Sequence, residues 1–351
     1  MSLSSIVTGI ENSANDSQKV MIDSNVVSQK KKRGCKRWGL MSIPGIGILF
    51  SLCSAFFFSI NSTVVKSLDL HPVQLSLSRC SVQFLILLPI VQYKHKEVDI
   101  MGPEGLKLIL WARGFVGSTA MIFLYYAIDE LSVGNAVTIT YISVILVPFM
   151  ARFLLKESLT IFDLIFGVIT LIGVIFIAQP TFLFPLPEGE KPQSALGVLF
   201  GTMSATCMSL SVIIIRKLGR QTYPPLNVMY YSFCGSITTT IVLVAVGKFQ
   251  YPCLSDTPRI FSLGVVGVLA QFFLTLALQT ERAGTVGVLR SFQIILIYIL
   301  QVTVLGDIPS YLSLIGAALI FSSSIGIGIR KVINEGKRRR SVVKSRLIDS
   351  N

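Results

Sequence analysis

Long apolar blocks, separated by short polar or charged breaks, dominate the chain from residue 44 to residue 329. Each block is long enough to cross a bilayer as a helix, which requires roughly 20 mainly apolar residues. The strict alternation of apolar and polar residues that marks a transmembrane β-strand is absent from the sequence. The pattern therefore predicts ten transmembrane helices, at residues 44–65, 72–92, 106–128, 131–153, 160–179, 194–215, 226–247, 259–279, 282–304 and 309–329.

The composition agrees with this pattern. Apolar residues make up 52% of the chain and charged residues only 14%, whereas charged residues make up about 25% of an average soluble domain. This composition excludes a soluble globular protein. Because lipid offers the backbone no hydrogen-bonding partner, the predicted fold class is all-α, a polytopic membrane protein whose helices satisfy their own backbone groups.

Basic residues are concentrated at the two ends of the chain, which carries a formal net charge of +13. Lys and Arg beside a transmembrane helix resist translocation, so basic clusters of this kind are typical of cytosolic tails. They suit anionic lipids at the membrane surface, and nucleic acid is not an expected partner. We expect a disordered cytosolic tail at residues 1–41 and a basic cytosolic tail at residues 330–351.

The loops between the predicted helices show the same charge asymmetry. The loops on the expected cytosolic side contain Lys94, Lys96, Arg152, Lys156, Arg216, Lys217, Arg220 and Arg282, and the opposite loops contain Lys66, Lys191, Lys248 and Arg259. This bias predicts an N-in, C-in orientation, with residues 180–193 as a luminal or extracellular linker. The plasma membrane and the endomembranes (endoplasmic reticulum or Golgi) both stay open as the location.

The two halves of the chain match each other at a constant offset of 150 residues. The matched positions include Gly47, Phe50, Ser54 and Ala55 against Gly197, Phe200, Ser204 and Ala205, and Ala127, Gly134 and Ile145 against Ala277, Gly284 and Ile295. The halves, residues 44–179 and 194–329, hold five predicted helices each, and this odd number inverts the second half across the bilayer. Inverted repeats are typical of alternating-access transporters, whose substrate site lies at the repeat interface near the midplane.

Several stretches of the sequence also resemble a known family. They are SRCSVQF, ARGFVGSTAMIFLYYAI, LSVGNAVTITYISVILVP, LLKESLT and ALQTERAGTVGVLRSFQ. Over roughly residues 44–330 the chain is similar to the drug/metabolite transporter superfamily (EamA-type), and within it to the G subgroup of solute carrier family 35. The resemblance implies two EamA-like five-helix repeats and a transport function. In relatives an acidic residue often follows the basic residue of the ninth helix, whereas Gln293 follows Arg290 in this chain.

Three arginines, Arg79, Arg113 and Arg290, are the only charged residues well inside the predicted helices. A charge at the centre of a membrane helix costs at least about 2.5–3.5 kcal/mol on insertion scales. Either these side chains snorkel or bind backbone carbonyls, or they face a water-filled cavity and bind an anionic substrate through two hydrogen bonds each. Arg113 is the strongest candidate for substrate binding, because Gly114 and Gly117 allow close packing beside it.

Polar side chains near these arginines would complete a substrate site. Gln293 lies about one helical turn from Arg290, and Tyr126, Tyr141 and Asn61 place hydroxyl or amide groups in the third, fourth and first helices. An interhelical hydrogen bond is the alternative role for each of them.

The sequence contains no pattern typical of an enzyme, a metal site or a cofactor site. Both histidines, His71 and His95, lie in predicted loops, and the six cysteines form no Cys-x-x-Cys pair. We therefore expect no cofactor and a secondary-active or facilitative transporter of a small organic anion, either a carboxylate metabolite or a phosphorylated or nucleotide-linked compound. The alternative is a non-transporting membrane adaptor that acts through its basic cytosolic tails. Whether the protein forms a homodimer stays open.

Overall fold

The structure, a computed structural model, is all-helical, and no strand occurs in the part of the chain that it describes. The described residues are 45–66, 68, 70–94, 99–100, 102–103, 105–131, 136, 139–157, 160–178, 183, 194–247, 256–305, 311–312, 314–327 and 329–330. The predicted tail at residues 1–41, the predicted tail at 330–351 except Arg330, and the predicted linker at 180–193 except Leu183 lie outside these residues.

Eleven helices are numbered in chain order. The first five are α1 (Ile46–Lys66), α2 (Pro72–Tyr93), α3 (Lys107–Glu130), α4 (Ser143–Leu154) and α5 (Ile161–Ala178). The second half contains α6 (Ala195–Leu218), α7 (Pro224–Val246), α8 (Thr257–Thr280), α9 (Ala283–Arg290), α10 (Phe292–Leu305) and α11 (Leu314–Ile327). A 3₁₀ turn at Gly219–Gln221 joins α6 to α7.

The described helices supply the ten predicted crossings. Six of them, α1, α2, α3, α6, α7 and α8, are long and apolar enough to span a membrane by themselves. Shorter apolar helices at Ile139–Leu154, Ile161–Ile177, Ala283–Ile297 and Leu314–Ile327 supply the other four. The all-α fold with ten membrane helices is thereby confirmed.

The predicted ninth helix, residues 282–304, is divided into α9 and α10 at Ser291. The Ser291 amide donates to the Val288 carbonyl, and the Ile294 amide donates to the Ser291 carbonyl, each over 3.0 Å. Bonds of this i to i+3 spacing tighten the helix locally and often mark a hinge. The fourth helix has the same spacing at Ile142, whose amide donates to Ile139 over 3.1 Å.

The offset of 150 residues seen in the sequence also relates pairs of contacts in space. Ser54 Oγ in α1 donates to the Ala270 carbonyl in α8 over 3.0 Å. Ser204 Oγ in α6 donates to the Ala120 carbonyl in α3 over 2.8 Å. Adding 150 to Ser54 gives Ser204, and adding 150 to Ala120 gives Ala270, so the two bonds are equivalent. The first helix of each half therefore packs against the third helix of the other half.

Two glycines allow the first helix of each half to pack closely against the other half. A side chain at Gly47 would overlap the side chain of Glu281, and one at Gly197 would overlap that of Leu131. These two contacts are again related by the offset of 150 residues. Two further contacts between the halves join equivalent helices, α2 with α7 and α4 with α9.

Candidate functional site

A cavity lies between helices of the two halves and is lined by all three arginines singled out in the sequence. It contains about 550 Å³ of space not filled by protein atoms, part of which is open to solvent. Arg79 and Arg113 come from α2 and α3, whereas Arg290 is the last residue of α9, and Ser204 and Ser211 of α6 add hydroxyl groups to the lining. The fold thus brings together three cations that are widely separated in sequence.

Arg113 is almost fully buried, with 3% of its surface exposed. Its Nη2 donates to Gln271 Oε1 in α8 over 3.2 Å. The guanidinium carbon also lies 4.7 Å from the centre of the Tyr231 ring in α7, a distance that permits a cation–π interaction. Its Nε and Nη1 are buried and have no hydrogen-bond partner among the described residues. Arg113 therefore retains donors for a ligand.

Arg79 is held by the same tyrosine. Its Nη2 donates to the Tyr231 hydroxyl over 3.0 Å and approaches Met121 Sδ at 3.8 Å. Only 5% of Arg79 is exposed, and its buried Nε lacks a hydrogen-bond partner in the described part of the chain. Burial at this level argues against snorkelling to the membrane interface, because a snorkelling guanidinium keeps its charged end in water.

Arg290 lies over the ring of Phe58, with 5.0 Å between the guanidinium carbon and the ring centre. Its position immediately before Ser291 places it at the junction of α9 and α10. The Phe58 ring adds apolar cover to the cavity wall, so a charge on a bound ligand would be shielded from water on this side.

None of these three arginines forms an ion pair within the described residues. The ion pairs found there join Arg216 to Glu157, Arg259 to Asp256 and Arg330 to Asp163, and all of these carboxylates lie at helix ends or between helices. Buried charges are normally paired. Three guanidinium groups without a carboxylate partner among the described residues therefore concentrate positive charge at one cavity.

The other predicted site residues lie outside the lining of this cavity. Asn61 Nδ2 donates to the Leu263 carbonyl in α8 over 3.0 Å, and Tyr126 packs against Phe200, with 5.4 Å between ring centres. Tyr141 packs against two apolar clusters, one around Val288 and one around Ile294. Asn61 therefore makes the interhelical hydrogen bond given as its alternative role.

Gln293 lies beyond Ser291 in α10, and its buried Oε1 has no hydrogen-bond partner among the described residues. Its predicted role beside Arg290 stays a prediction.

Sequence reasoning missed Tyr231, Gln271 and Gly267. A Cβ at Gly267 would overlap the Gln83 amide and would lie 3.4 Å from Arg79 Cδ, whereas a Cβ at Gly117 would overlap Arg113 itself. A signal was present in the sequence, since Gly114 and Gly117 in α3 recur as Gly264 and Gly267 in α8 at the offset of 150 residues. Nothing comparable marked Tyr231 or Gln271, because their importance depends on which helix faces the arginines.

A second polar cluster joins the two halves at one end of the bundle. Arg216 Nε at the end of α6 donates to Glu157 Oε1 over 2.7 Å, and its Nη1 donates to the Leu278 carbonyl over 3.0 Å. The other carboxylate oxygen of Glu157 accepts the Ala283 amide at the first residue of α9 over 3.4 Å. Glu157 belongs to the first half and its partners to the second, so this cluster fastens the halves together.

Comparison with known proteins agrees with the repeat architecture. The EamA-like transporter family matches residues 45–179 and again residues 195–329. Human solute carrier family 35 member G1 is 33% identical over 314 residues, which cover 88% of this chain and 83% of that protein. The mouse protein of the same name is 31% identical over the same shares of both chains.

More distant similarities extend to bacteria and to a solved structure. The pseudopaline exporter CntI of Pseudomonas aeruginosa is 22% identical over 288 residues, which cover 81% of this chain and 96% of the exporter. A crystal structure with 17% sequence identity superimposes with a TM-score of 0.68 and covers 80% of this chain and 96% of its own. At that identity the superposition shows a shared fold alone.

Proposed function

Because the chain belongs to the EamA-like transporter family, we propose that this membrane transporter carries a small organic anion and binds it in the arginine-lined cavity. One observation supports the choice of an anion above all others. Arg79, Arg113 and Arg290 line the same cavity, and none has a carboxylate partner among the described residues. A substrate carboxylate or phosphate would supply the missing negative charge.

Arg113 has the central part in this proposal, since two of its buried donors, Nε and Nη1, lack partners among the described residues, whereas Arg79 has one such donor, Nε. Guanidinium stays charged at all physiological pH values and matches the geometry of carboxylate and phosphate oxygens. The substrate class is therefore a carboxylate metabolite or a phosphorylated or nucleotide-linked compound. Arg79 and Arg290 add positive charge from α2 and α9.

Transport would proceed by alternating access, in which the halves 44–179 and 194–329 rock about the cavity. Inverted-repeat transporters place their substrate site at the repeat interface, and this cavity takes its lining from both halves. The proposed orientation places both termini in the cytosol. The Glu157–Arg216 cluster then lies at the cytosolic end, where it would have to open for substrate to pass.

Uptake into proteoliposomes tests the proposal directly. Purified protein would be reconstituted and supplied with labelled pyruvate, succinate, glycerol 3-phosphate and UMP, which span the proposed chemical classes. We expect saturable uptake of at least one anion by the wild-type protein and its loss in Arg113→Ala. Arg152→Ala is the matched control, because Arg152 is an exposed arginine at the end of α4. Absence of uptake of every anion by correctly inserted protein would instead favour the adaptor function.

A further inference from the structure

Tyr231 contacts both arginines of the first half at once, through different parts of its side chain. Its hydroxyl accepts a hydrogen bond from Arg79 Nη2 over 3.0 Å. Its ring face lies 4.7 Å from the guanidinium carbon of Arg113. Tyr231 itself is buried, with 3% of its surface exposed. One tyrosine side chain therefore contacts two cations.

Gly117 provides the space that this arrangement needs. Arg113 lies one helical turn before Gly117 on the same face of α3. A Cβ at position 117 would overlap Arg113 Nη1 and would lie 3.0 Å from the nearest carbon of the Tyr231 ring. Alanine at this position would therefore push Arg113 away from the ring. Gly167 in α5 offers a contrast, since its added Cβ would meet its nearest neighbour at 3.8 Å, an ordinary contact.

Arg79 and Arg113 contact the same tyrosine and line the same cavity, so their positive charge is concentrated where water is scarce and electrostatic interactions are strong. A monoanion can neutralise only one of the two guanidinium groups. An anion with two negative charges can neutralise both and can accept hydrogen bonds from each. A site that contains both arginines can therefore distinguish substrates by their charge.

We propose that Tyr231 is a positioning residue that holds Arg79 and Arg113 as a paired dicationic element, and that this element selects dianions over monoanions. The proposal rests on the proposed function, because it concerns the same cavity. It adds both a substrate class, small organic dianions, and a residue that determines this selectivity. The tyrosine belongs to the second half and the arginines to the first, so the selective element exists only when the halves are together.

Matched pairs of probes test charge selectivity with purified full-length protein. Succinate and butyrate have four carbons each but carry two and one carboxylates. Glycerol 3-phosphate and glycerate have three carbons each, and at pH 8 they carry a doubly charged phosphate and a singly charged carboxylate. Affinities would be obtained from the ligand-dependent rise in Tm. We expect the wild-type protein to prefer the dianion in at least one pair. Tyr231→Phe, which keeps the ring but loses the hydroxyl, should lower that preference by about tenfold, as expected for one lost hydrogen bond.

A double-mutant cycle separates positioning from a general structural effect. Tyr231→Phe should have no further effect on the preference in an Arg79→Gln background, because the hydroxyl acts through Arg79. It should likewise have no further effect on the preference in an Arg113→Gln background, because the preference requires both guanidinium groups. Gly117→Ala should also lower dianion affinity, whereas the control Gly167→Ala should leave it unchanged.

The outcomes distinguish the two proposals. If no anion raises the Tm of the wild-type protein, the proposed function is wrong and the selectivity proposal falls with it. If an anion binds but mono- and dianions bind equally, or Tyr231→Phe leaves their ratio unchanged, the assignment of Tyr231 is overturned and the anion site stands. Equal effects of Tyr231→Phe in the presence and absence of Arg79 would also overturn it.

Discussion

At the residue scale, the cavity depends on what surrounds each guanidinium. Arg113 is buried against Tyr231 and Gln271, two neutral partners that hold it without neutralising its charge. A carboxylate in either position would compete with the substrate for the same donors. Neutral partners therefore keep the arginine in place and leave its charge available.

Two replacements of Arg113 should distinguish the contribution of its charge from that of its planar set of donors. We expect Arg113→Ala to abolish transport or reduce it severely while the protein still reaches its membrane. Arg113→Lys should also be impaired, because a single ammonium cannot replace the planar set of donors in guanidinium. Uptake into proteoliposomes, normalised to inserted protein, measures both effects. Wild-type uptake by either correctly inserted variant would contradict the role given to this residue.

At the element scale, α9 connects the cavity to the polar cluster at the end of the bundle. Its first residue, Ala283, donates its amide to Glu157, and its last residue, Arg290, lines the cavity. With a rise of about 1.5 Å per residue, its eight residues place these two contacts about 10 Å apart along the helix axis. The i to i+3 hydrogen bonds at Ser291 separate α9 from α10, and a local change of this kind often marks a hinge.

The Glu157–Arg216 pair should stabilise contact between the halves. The two side chains are partly exposed, at 18% and 24%, so the ion pair is screened by salt and contributes modestly by itself. Both also bond the backbone of the second half, and we therefore expect Glu157→Gln and Arg216→Gln each to lower the Tm. Their effects should be non-additive, with a coupling of about 0.5–3 kcal/mol. Additive changes in the double mutant would show that the two residues act separately.

At the scale of the whole molecule, the interdigitated repeat makes each half depend on the other. Ser54 and Ser204 bind carbonyls across the interface at equivalent positions, so neither half completes its packing alone. This interdependence suits a transporter whose two conformations differ by a rocking of one half against the other.

The distribution of basic residues predicts that both termini lie in the cytosol. Epitope tags on both termini should be inaccessible to antibodies in sealed cells and become accessible after the plasma membrane is permeabilised. A protein retained in endomembranes gives the same result after selective permeabilisation of the plasma membrane, because cytosolic tags are then exposed. Protection of either tag under that condition would contradict the N-in, C-in topology.

Transport should proceed without proton coupling through a side chain in the membrane. Proton-driven carriers usually use an intramembrane carboxylate or histidine, whereas the chain places no acidic residue in the middle of a predicted helix and arginine does not deprotonate at physiological pH. We expect facilitated diffusion or anion exchange. An inward proton gradient in liposomes, with the membrane potential clamped, should not concentrate a substrate that is fully ionised across the tested range. Accumulation of the substrate against its own gradient would contradict this prediction. Asp163, whose carboxylate lies 3.8 Å from Arg330, would then be the first residue to test for proton binding.

The amino-acid sequence by itself determined the membrane helices, the repeat and the three candidate arginines. These properties are legible because they rest on local quantities: the length of an apolar block, an offset between positions, and the cost of a charge at membrane depth. These quantities do not show where a helix is interrupted. The division at Ser291 was not predicted, because no residue such as proline marks the change to i to i+3 hydrogen bonds there.

Only the tertiary structure decided which side chains meet. It brought Arg79, Arg113 and Arg290 to one cavity, placed Tyr231 and Gln271 against them, and directed Asn61 to the Leu263 carbonyl. Apolar membrane helices carry weak amphipathic signals, since lipid and protein interior are similarly apolar. The rotation of each helix about its axis is therefore set by packing, through close contacts such as those at Gly47 and Gly197, and a charged residue finds its neighbours only when that packing is complete.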